Sequence, residues 1–448
     1  MTSLLILALA AGCLAQPSDA PRKGEGAFLE RRGAQLYYGG KPFAAVGVNK
    51  HELLDQYMAG LLGASPEDAA RARAAARQSL AALKAAGVTV VRVRMSGFWP
   101  ARIERTYLAE DAAARQAFWQ ALDAMLADCD RYGLRVVATI AWHLGGWADL
   151  AHESLQDLFT DPDSASRALL HRWITDLVSR YKDRDTILFW ELTNEANLAA
   201  DLRPQHPHDG VLGPKLTRPA PHIVRGPVVR DGRNNYSSDE LAALMRELAR
   251  LIKRLDSRHL VGTGFSRPRR AAWHLWLGSL RRADRMDWTP DTPEEGAYYL
   301  WLISPDPIDL VSLHTYGPDF QRMLDLKLAA EKIGKPVYLG EAGVGAGNFD
   351  GPVYGHAPAR QALKLMLAAW REMRIPLTLL WTWDEYGKPV HEPVLRPDQW
   401  PELAALLRDA NQQALAVAGE EVEDVDLLRA KLADYAEQVQ RLLPGPKK

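Results

Sequence analysis

Apolar residues recur along the chain in two alternating patterns. Short, nearly unbroken apolar runs lie at Phe43–Asn49, Val88–Met95, Leu134–Trp142, Ile187–Leu192, His259–Gly264, Ile308–His314, Pro336–Glu341 and Pro376–Trp383. Runs of this length, apolar on both faces, predict buried strands of a parallel sheet covered by helices. Between them apolar positions return every three or four residues, at Pro66–Ala86, Leu108–Tyr132, Asp163–Lys182, Ser238–Leu255, Phe320–Ile333 and Pro358–Met373. The same period follows the last run, at Gln399–Val417. It predicts amphipathic helices. Gly87, Gly133 and Gly334 stand just before a strand, where a helix ends in a left-handed residue. Strand–helix units repeated around eight strands predict an α/β fold, a (β/α)8 TIM barrel spanning residues 25–418. A doubly wound sheet would want a Gly-rich phosphate turn after its first strand, and Gly47-Val48-Asn49-Lys50 is not one.

Some stretches break the rhythm. Asp201–Asn235 follows the fourth strand and is rich in Pro, Gly and His, which predicts a long functional loop over the cleft. Ser266–Arg285 follows the fifth strand, within a less regular crossover that runs to Pro307. Glu420–Leu443 reads as a charged amphipathic helix added after the barrel, so 419–448 is a helix and tail. At the other end Leu4–Leu9 is apolar and leads into Ala10-Ala11-Gly12-Cys13. A membrane span needs about 20 apolar residues, so residues 1–16 read instead as a secretory signal. The small residues before Cys13 resemble a lipobox, with Cys13 as a lipidated N-terminus. Export, to the cell exterior, the periplasm or a lipid-anchored surface position, is the expected location.

Composition narrows the class. The 448 residues are 47% hydrophobic and 25% charged, which excludes a disordered or collagen-like chain. Lys plus Arg is 55 against 56 Asp plus Glu, so no strong global field draws the chain to nucleic acid or an anionic membrane. The two cysteines, Cys13 and Cys129, cannot build a disulfide framework or a Cys-based zinc site, and Cys129 falls in an apolar helical pattern as a core residue. His206, His208 and His222 lie in a loop without strand support, so no metal site is expected. A serine hydrolase would show Gly-x-Ser-x-Gly, which Gly262-Thr263-Gly264-Phe265-Ser266 does not fit.

Polar residues gather where this fold places its chemistry, at the C-terminal ends of the strands. Arg92 and Arg94 share a face of the second strand, His143 ends the third, and Asn194-Glu195 follow the fourth. His314 and Tyr316 share a face of the sixth, Glu341 ends the seventh, and Trp381-Thr382-Trp383-Asp384 ends the eighth. Glu195 and Glu341 stand out, because a carboxylate is seldom buried unless paired or functional. A carboxylate pair across a barrel mouth suits glycoside hydrolysis: one protonates the leaving oxygen while the other attacks the anomeric carbon or activates water. Arg92 is placed to hold Glu341 ionised, and Tyr316 to donate to the same carboxylate. Asn194 is suited to bind a sugar hydroxyl, and Trp383 or Trp381 to floor the sugar with an indole face.

With those residues in view, the barrel resembles glycoside hydrolase family 5, or a near relative in the clan of (β/α)8 retaining glycosidases, over roughly Phe43 to Trp383. Trp190-Glu191-Leu192-Thr193-Asn194-Glu195 is similar to the clan's strand-four signature, and Leu339-Gly340-Glu341 to its strand-seven signature. The resemblance implies Glu195 as acid/base, Glu341 as nucleophile and Asn194 as the hydroxyl-binding partner. It implies support of the nucleophile by Arg92, a His-x-Tyr pair in His314 and Tyr316, a site histidine in His143, and a sugar platform in Trp383. Arg94, where the family commonly has proline, and Ala141, where an acid is common, depart from the pattern. The implied activity is retaining hydrolysis of a β-linked glycan, endo-β-glucanase-like or endo-β-mannanase-like, with mannan or β-glucan as first candidates. The implied partner is a carbohydrate substrate, with no cofactor, no nucleic acid, and membrane contact only through a lipid on Cys13.

Two alternatives accompany this reading. One is a non-catalytic glycan-binding barrel, against which the presence of both acids argues. The other is a glycosidase for an acidic or substituted glycan. It draws on the basic excess of Asp201–Asn235, six Lys/Arg against three Asp, and of Ser266–Arg285, six Arg against Asp284.

Overall fold

In the computed structural model of the chain, residues 27–202, 235–281, 285–345, 349, 352–384 and 393–443 are described. Among the described residues, eleven strands form two sheets. The first three, β1 (Leu29–Arg32), β2 (Gln35–Tyr38) and β3 (Lys41–Pro42), make a small antiparallel sheet. The other eight are β4 (Ala45–Asn49), β5 (Val90–Arg94), β6 (Arg135–Ala141), β7 (Ile187–Thr193), β8 (Leu260–Gly262), β9 (Val311–Thr315), β10 (Val337–Ala342) and β11 (Leu377–Leu380). They are all parallel, in the order β8-β7-β6-β5-β4-β11-β10-β9. A parallel bridge between Gly262 and Leu310 joins the two ends, with the Leu310 N–H donating to the Val261 carbonyl at 3.2 Å. The sheet is therefore a closed (β/α)8 barrel, as its hydrophobic pattern predicts.

The crossover helices form where the period predicts them. Pro66–Ala85 starts on Ser65, whose hydroxyl accepts from the Asp68 N–H, with Pro66 in the first turn. Ser238–Leu255 starts on a capping box in which Ser237 and Glu240 satisfy each other's backbone N–H groups. The irregular fifth crossover contains two helices, Ala272–Leu280 and Pro293–Ile303, the second set by a Thr292–Glu295 capping box and Pro293. Short helices in the loops at the barrel mouth, Leu53–Tyr57, Pro100–Arg105, Leu144–Leu150 and Leu155–Thr160, have no counterpart in the sequence reading. Each spans two turns or fewer, too short for a 3.6-residue period to declare itself.

Apolar residues fill the barrel and its shell. Leu29 and Leu36 of the small sheet pack with Ala45, Val90, Val137, Leu188, Leu310, Tyr338 and Leu377, so the hairpin closes the end where the strands begin. That leaves the opposite, C-terminal end for polar groups. The added helix, Val425–Leu442, buries Leu428, Leu432 and Val439 against Phe320–Lys332 and Ala357–Glu372. Cys129 is fully buried in the main core, which pushes its thiol up to about 12, with Asp130 and Asp128 adding to the effect. The expected signal segment with Cys13, and all but the ends of Asp201–Asn235, lie outside the described residues. No described helix is long and apolar enough to cross a membrane.

Candidate active site

Arg92 organises the open end of the barrel. Its side chain projects from β5 with no solvent exposure. Its Nε donates to Glu191 Oε1 at 2.7 Å, Nη1 to Glu341 Oε1 at 2.8 Å and Asn49 Oδ1 at 3.1 Å, and Nη2 to Asn194 Oδ1 at 2.7 Å. The guanidinium carbon lies 4.6 Å from the centroid of the Trp142 ring. Burial alone would drive this cation toward neutrality, but the charges of Glu191 and Glu341 more than offset it and raise its pKa. One planar fork thus fixes two carboxylates and two amides, carried by β4, β10 and β7 with the turn that follows it.

Glu191 is the residue the sequence reading missed. It is fully buried, and besides Arg92 it accepts from Thr139 Oγ1 at 2.6 Å and from the Tyr338 hydroxyl at 2.7 Å. It anchors Arg92 from below while Glu341 holds it from above. In a run buried on both faces, alternation does not reveal which residues point into the barrel, so the signal was only the presence of an acid there.

Glu341 receives two donors. Oε1 accepts from Arg92, and Oε2 accepts from the Tyr316 hydroxyl at 2.5 Å. Glu195 sits across the mouth in a left-handed conformation, φ 52° and ψ 21°. That backbone costs a non-glycine residue about 1–3 kcal/mol, and such outliers cluster at functional sites. Its amide N–H donates to the Gly264 carbonyl at 2.9 Å. Gly264 itself has φ +74°, and a Cβ there would lie 1.7 Å from the Thr193 carbonyl oxygen. Only glycine permits this approach of the fifth-strand loop to the Asn194-Glu195 turn.

His314 joins the two acids. Its Nδ1 lies 3.0 Å from Glu195 Oε1 and 3.6 Å from Glu341 Oε2, so Nδ1 carries the proton toward carboxylate oxygen. Its other face packs on Gly340, where a Cβ would meet Nε2 at 2.7 Å. One oxygen of Glu195, one of Glu341 and a His314 nitrogen all lie within 4.8 Å of one another. Burial lifts Glu341 above the usual carboxylate range, Glu195 adds to this, and His314, Arg92 and Tyr316 oppose it. Burial would lift Glu195 too, but hydrogen bonding and charge from His314, with Ser266 and Arg92, bring it below its usual value.

These three groups could in principle cage a cation. The Arg92 charge 2.8 Å from Glu341 opposes that, so the arrangement suits proton transfer and nucleophilic attack better than metal binding. A second cluster, His274, Asp291 and Glu295, is occupied in structural work. Asp291 accepts from the N–H of Trp273 and of His274 at the start of Ala272–Leu280, and Glu295 closes its own capping box.

The remaining expected residues divide. Asn194 is buried and accepts from Arg92 Nη2. His143 stands just after β6, at the start of Leu144–Leu150, and stacks on Trp99, its ring edge-on to Phe98 at 4.7 Å. Burial, then the charge of Arg94, pushes it down to about 3 against the pull of Glu195, so it is neutral. Trp381 is half-buried, stacked on His51 at 4.9 Å and 6.3 Å from Trp142, at the rim of the site. Trp383 corrects the reading: it is 1% exposed and belongs to the main core, so neither indole face is open to a sugar. The chain leaves regular strand geometry after Leu380, and the two tryptophans part company there. Arg94 pairs with Asp55 at 2.8 Å. Several arginines of the fifth-strand loop are also engaged: Arg267 and Arg270 with Asp319, and Arg269 with the Leu198 carbonyl. That spends much of the basic excess on the protein itself.

No family model matches the chain. Among curated proteins it is 24% identical over 384 residues to mannan endo-1,4-beta-mannosidase 8 of Oryza sativa subsp. japonica, covering 77% of this chain and 87% of that protein. A second rice protein, mannan endo-1,4-beta-mannosidase 7, is 24% identical with 77% and 85% covered. Among solved structures, the endo-1,4-beta-mannanase of Rhizomucor miehei superposes with a TM-score of 0.57 at 17% identity, over 87% of this chain and 99% of that one. A glycoside hydrolase family 5 mannosidase from the same organism gives 0.55 at 15% identity, over 88% and 99%. The likeness to glycoside hydrolase family 5 holds. At these identities the superpositions establish the barrel, while the rice enzymes link the sequence itself to β-mannosidases.

Proposed function

We propose that the protein is a retaining β-glycoside hydrolase that acts on a β-mannan-type glycan, with Glu341 as nucleophile and Glu195 as acid/base. The observation that carries the reading is the pair of carboxylates with oxygens within 4.8 Å, held across the barrel mouth. Retaining glycosidases space their acids at about 5–5.5 Å, and inverting ones at about 6.5–9.5 Å to admit a water. Glu341 attacks the anomeric carbon through a carboxylate oxygen while Glu195 gives its proton to the departing glycosidic oxygen. A glycosyl ester forms on Glu341 and the aglycone leaves. Glu195, now ionised, takes a proton from water, and the water oxygen attacks the same carbon and frees Glu341.

This cycle starts with a proton on Glu195 and a charge on Glu341, opposite to the balance in the substrate-free site. The two acids are close enough to titrate as a unit. What holds Glu195 down is foremost the hydrogen bond and charge of His314, whereas Glu341 is bonded to Arg92, whose charge is permanent. Arg92 and the Tyr316 hydroxyl both donate to Glu341 and stabilise the charge it needs for attack, which leaves the proton of the pair to Glu195 in the reacting complex. Asn194 is held by Arg92 in position to bind a hydroxyl near the reacting carbon, and Trp381 offers a sugar platform. The likeness to the two rice mannosidases favours mannan over β-glucan. The balanced net charge and the paired arginines support a neutral glycan as the substrate. The apolar run before Cys13 supports export, with lipid on Cys13 as the one membrane contact, which the mass of the mature N-terminus tests.

Trapping tests the roles. A 2-deoxy-2-fluoro β-mannoside with a good leaving group should esterify the enzyme on the peptide containing Glu341. Label on Glu195, or hydrolysis of mannan with no labelling at all, refutes the assignment.

A further inference from the structure

The hydrogen bonding between the fourth and fifth barrel strands continues past the point where the strands end. β7 and β8 pair from Phe189 with Leu260 to Glu191 with Gly262. Beyond that pair the Thr193 N–H donates to the Thr263 carbonyl at 3.1 Å, and the Glu195 N–H to the Gly264 carbonyl at 2.9 Å. There both backbones bend, since Glu195 and Gly264 are left-handed, with φ 52° and +74°. Left-handed residues do not continue a strand.

A side chain takes over from the main chain. Asn197, two residues past Glu195, is 3% exposed. Its Oδ1 accepts from the Ser266 N–H at 2.9 Å, and its Nδ2 donates to the Ser266 carbonyl at 2.8 Å. One amide thus pairs with both main-chain groups of one residue, as a neighbouring parallel strand does. Buried and engaged through both polar atoms, Asn197 is not placed to bind a sugar. Ser266 in turn lies against the Glu195 carboxylate, as a second hydroxyl or ring donor beside His314, whose Nδ1 is 3.0 Å from Glu195 Oε1. The acid/base therefore has its backbone tied to Gly264 and its carboxylate faced by Ser266, both on the loop that Asn197 grips. Two further ties hold the outer end of the turn and do not reach Ser266. The Tyr236 hydroxyl donates to the Ala196 carbonyl at 2.7 Å, and Arg269 Nε to the Leu198 carbonyl at 3.1 Å.

We propose that Asn197 is a positioning residue for the acid/base: it clamps the loop after strand five to the turn after strand four, and so fixes the point at which the Glu195 proton is delivered. The inference rests on the glycosidase reading above, in which Glu195 protonates the leaving oxygen. Glu341 is held from other elements, by Arg92 and Tyr316, so loss of the clamp disturbs protonation and leaves the nucleophile in place.

Dependence on the leaving group separates this role from a purely structural one. A dinitrophenyl group departs without a proton and a phenyl group needs one, while both need the same attack by Glu341. The comparison uses kcat/KM on the two aryl β-mannobiosides. Losing general acid catalysis entirely costs about 10²–10⁴-fold. Asn197→Ala displaces Glu195 without removing it, and should lose about tenfold or more on the phenyl substrate and less than about threefold on the dinitrophenyl one. Asn197→Asp has the same shape, keeps the acceptor for the Ser266 N–H and sets an oxygen against the Ser266 carbonyl. It should show the same split, so misfolding of Asn197→Ala does not end the test. Equal losses on both substrates, or no loss on either, overturn the proposal. If wild type hydrolyses neither substrate, or Glu195→Ala itself shows no split, the glycosidase reading fails separately, and a crystal structure of the Asn197 variant decides the clamp. A Glu195 carboxylate moved out of reach of His314 supports it, and one still 3.0 Å from His314 Nδ1 overturns it.

Discussion

Replacing Glu191 by alanine should harm both stability and turnover, although Glu191 touches no substrate in the proposed reaction. Its carboxylate is fully buried and accepts three hydrogen bonds, from Arg92 at 2.7 Å, Thr139 at 2.6 Å and Tyr338 at 2.7 Å. Truncation leaves a buried guanidinium with Glu341 as its one remaining ion-pair partner among the described residues and takes an acceptor from two buried hydroxyls. Removing one partner of a buried ion pair costs about 3–5 kcal/mol, a large share of the roughly 5–15 kcal/mol that holds a typical domain folded. The fork of Arg92 then turns toward Glu341, and the fixed spacing of Glu341 and Asn194 is lost. A fall in kcat of about 100-fold follows, equivalent to about 2.7 kcal/mol of barrier. Glu191→Gln keeps an acceptor for the Arg92 Nε and should fall between wild type and alanine on both measures. Urea unfolding reads the stability, and hydrolysis of an aryl β-mannoside reads kcat. If Glu191→Ala unfolds within about 1 kcal/mol of wild type and keeps kcat within twofold, Glu191 does not hold Arg92 from below.

Other outcomes follow from the same geometry. His314 lowers the pKa of both Glu195 and Glu341, so His314→Gln should raise both and move both limbs of the kcat/KM pH profile to higher pH; an unmoved or acid-shifted profile contradicts the coupling. Glu341→Ala should be inactive on every substrate, with azide failing to restore retaining chemistry, whereas Glu195→Ala should keep turnover of aryl glycosides whose leaving groups need little protonation; swapped behaviour reverses the roles. Tyr316→Phe removes the 2.5 Å donor to Glu341 and should lower kcat about 10- to 100-fold with little change in KM, as expected for a bond that matters most in the transition state. Trp383→Ala should cost about 3–5 kcal/mol of stability without raising KM, and Trp381→Ala should raise KM at near-normal stability; the reverse pattern would restore Trp383 as the sugar platform.

The barrel was legible because its strands are buried on both faces and its helices carry a long period, two signals that survive averaging over a whole segment. The small sheet of β1 to β3 was not, since two- to four-residue strands carry no period. Glu195, Glu341, Arg92, Asn194, His314 and Tyr316 could be picked out as polar residues where apolar runs end, and the structure brings all six together. Glu191 could not, because it stands inside such a run and its purpose depends on Arg92, which is 99 residues away in the chain. Trp381 and Trp383 were indistinguishable for a related reason. Side-chain direction follows parity only within a strand, and β11 ends at Leu380, before either of them.

The most direct test of the double-displacement account is the configuration of the first product. Proton NMR recorded in the opening minutes of hydrolysis of a β-mannan oligosaccharide or aryl β-mannoside should show the β-anomer appearing first, followed by slow mutarotation. That is the outcome for carboxylates whose oxygens lie within 4.8 Å of each other. An α-anomer formed first would mean a single displacement by water and would contradict the central claim.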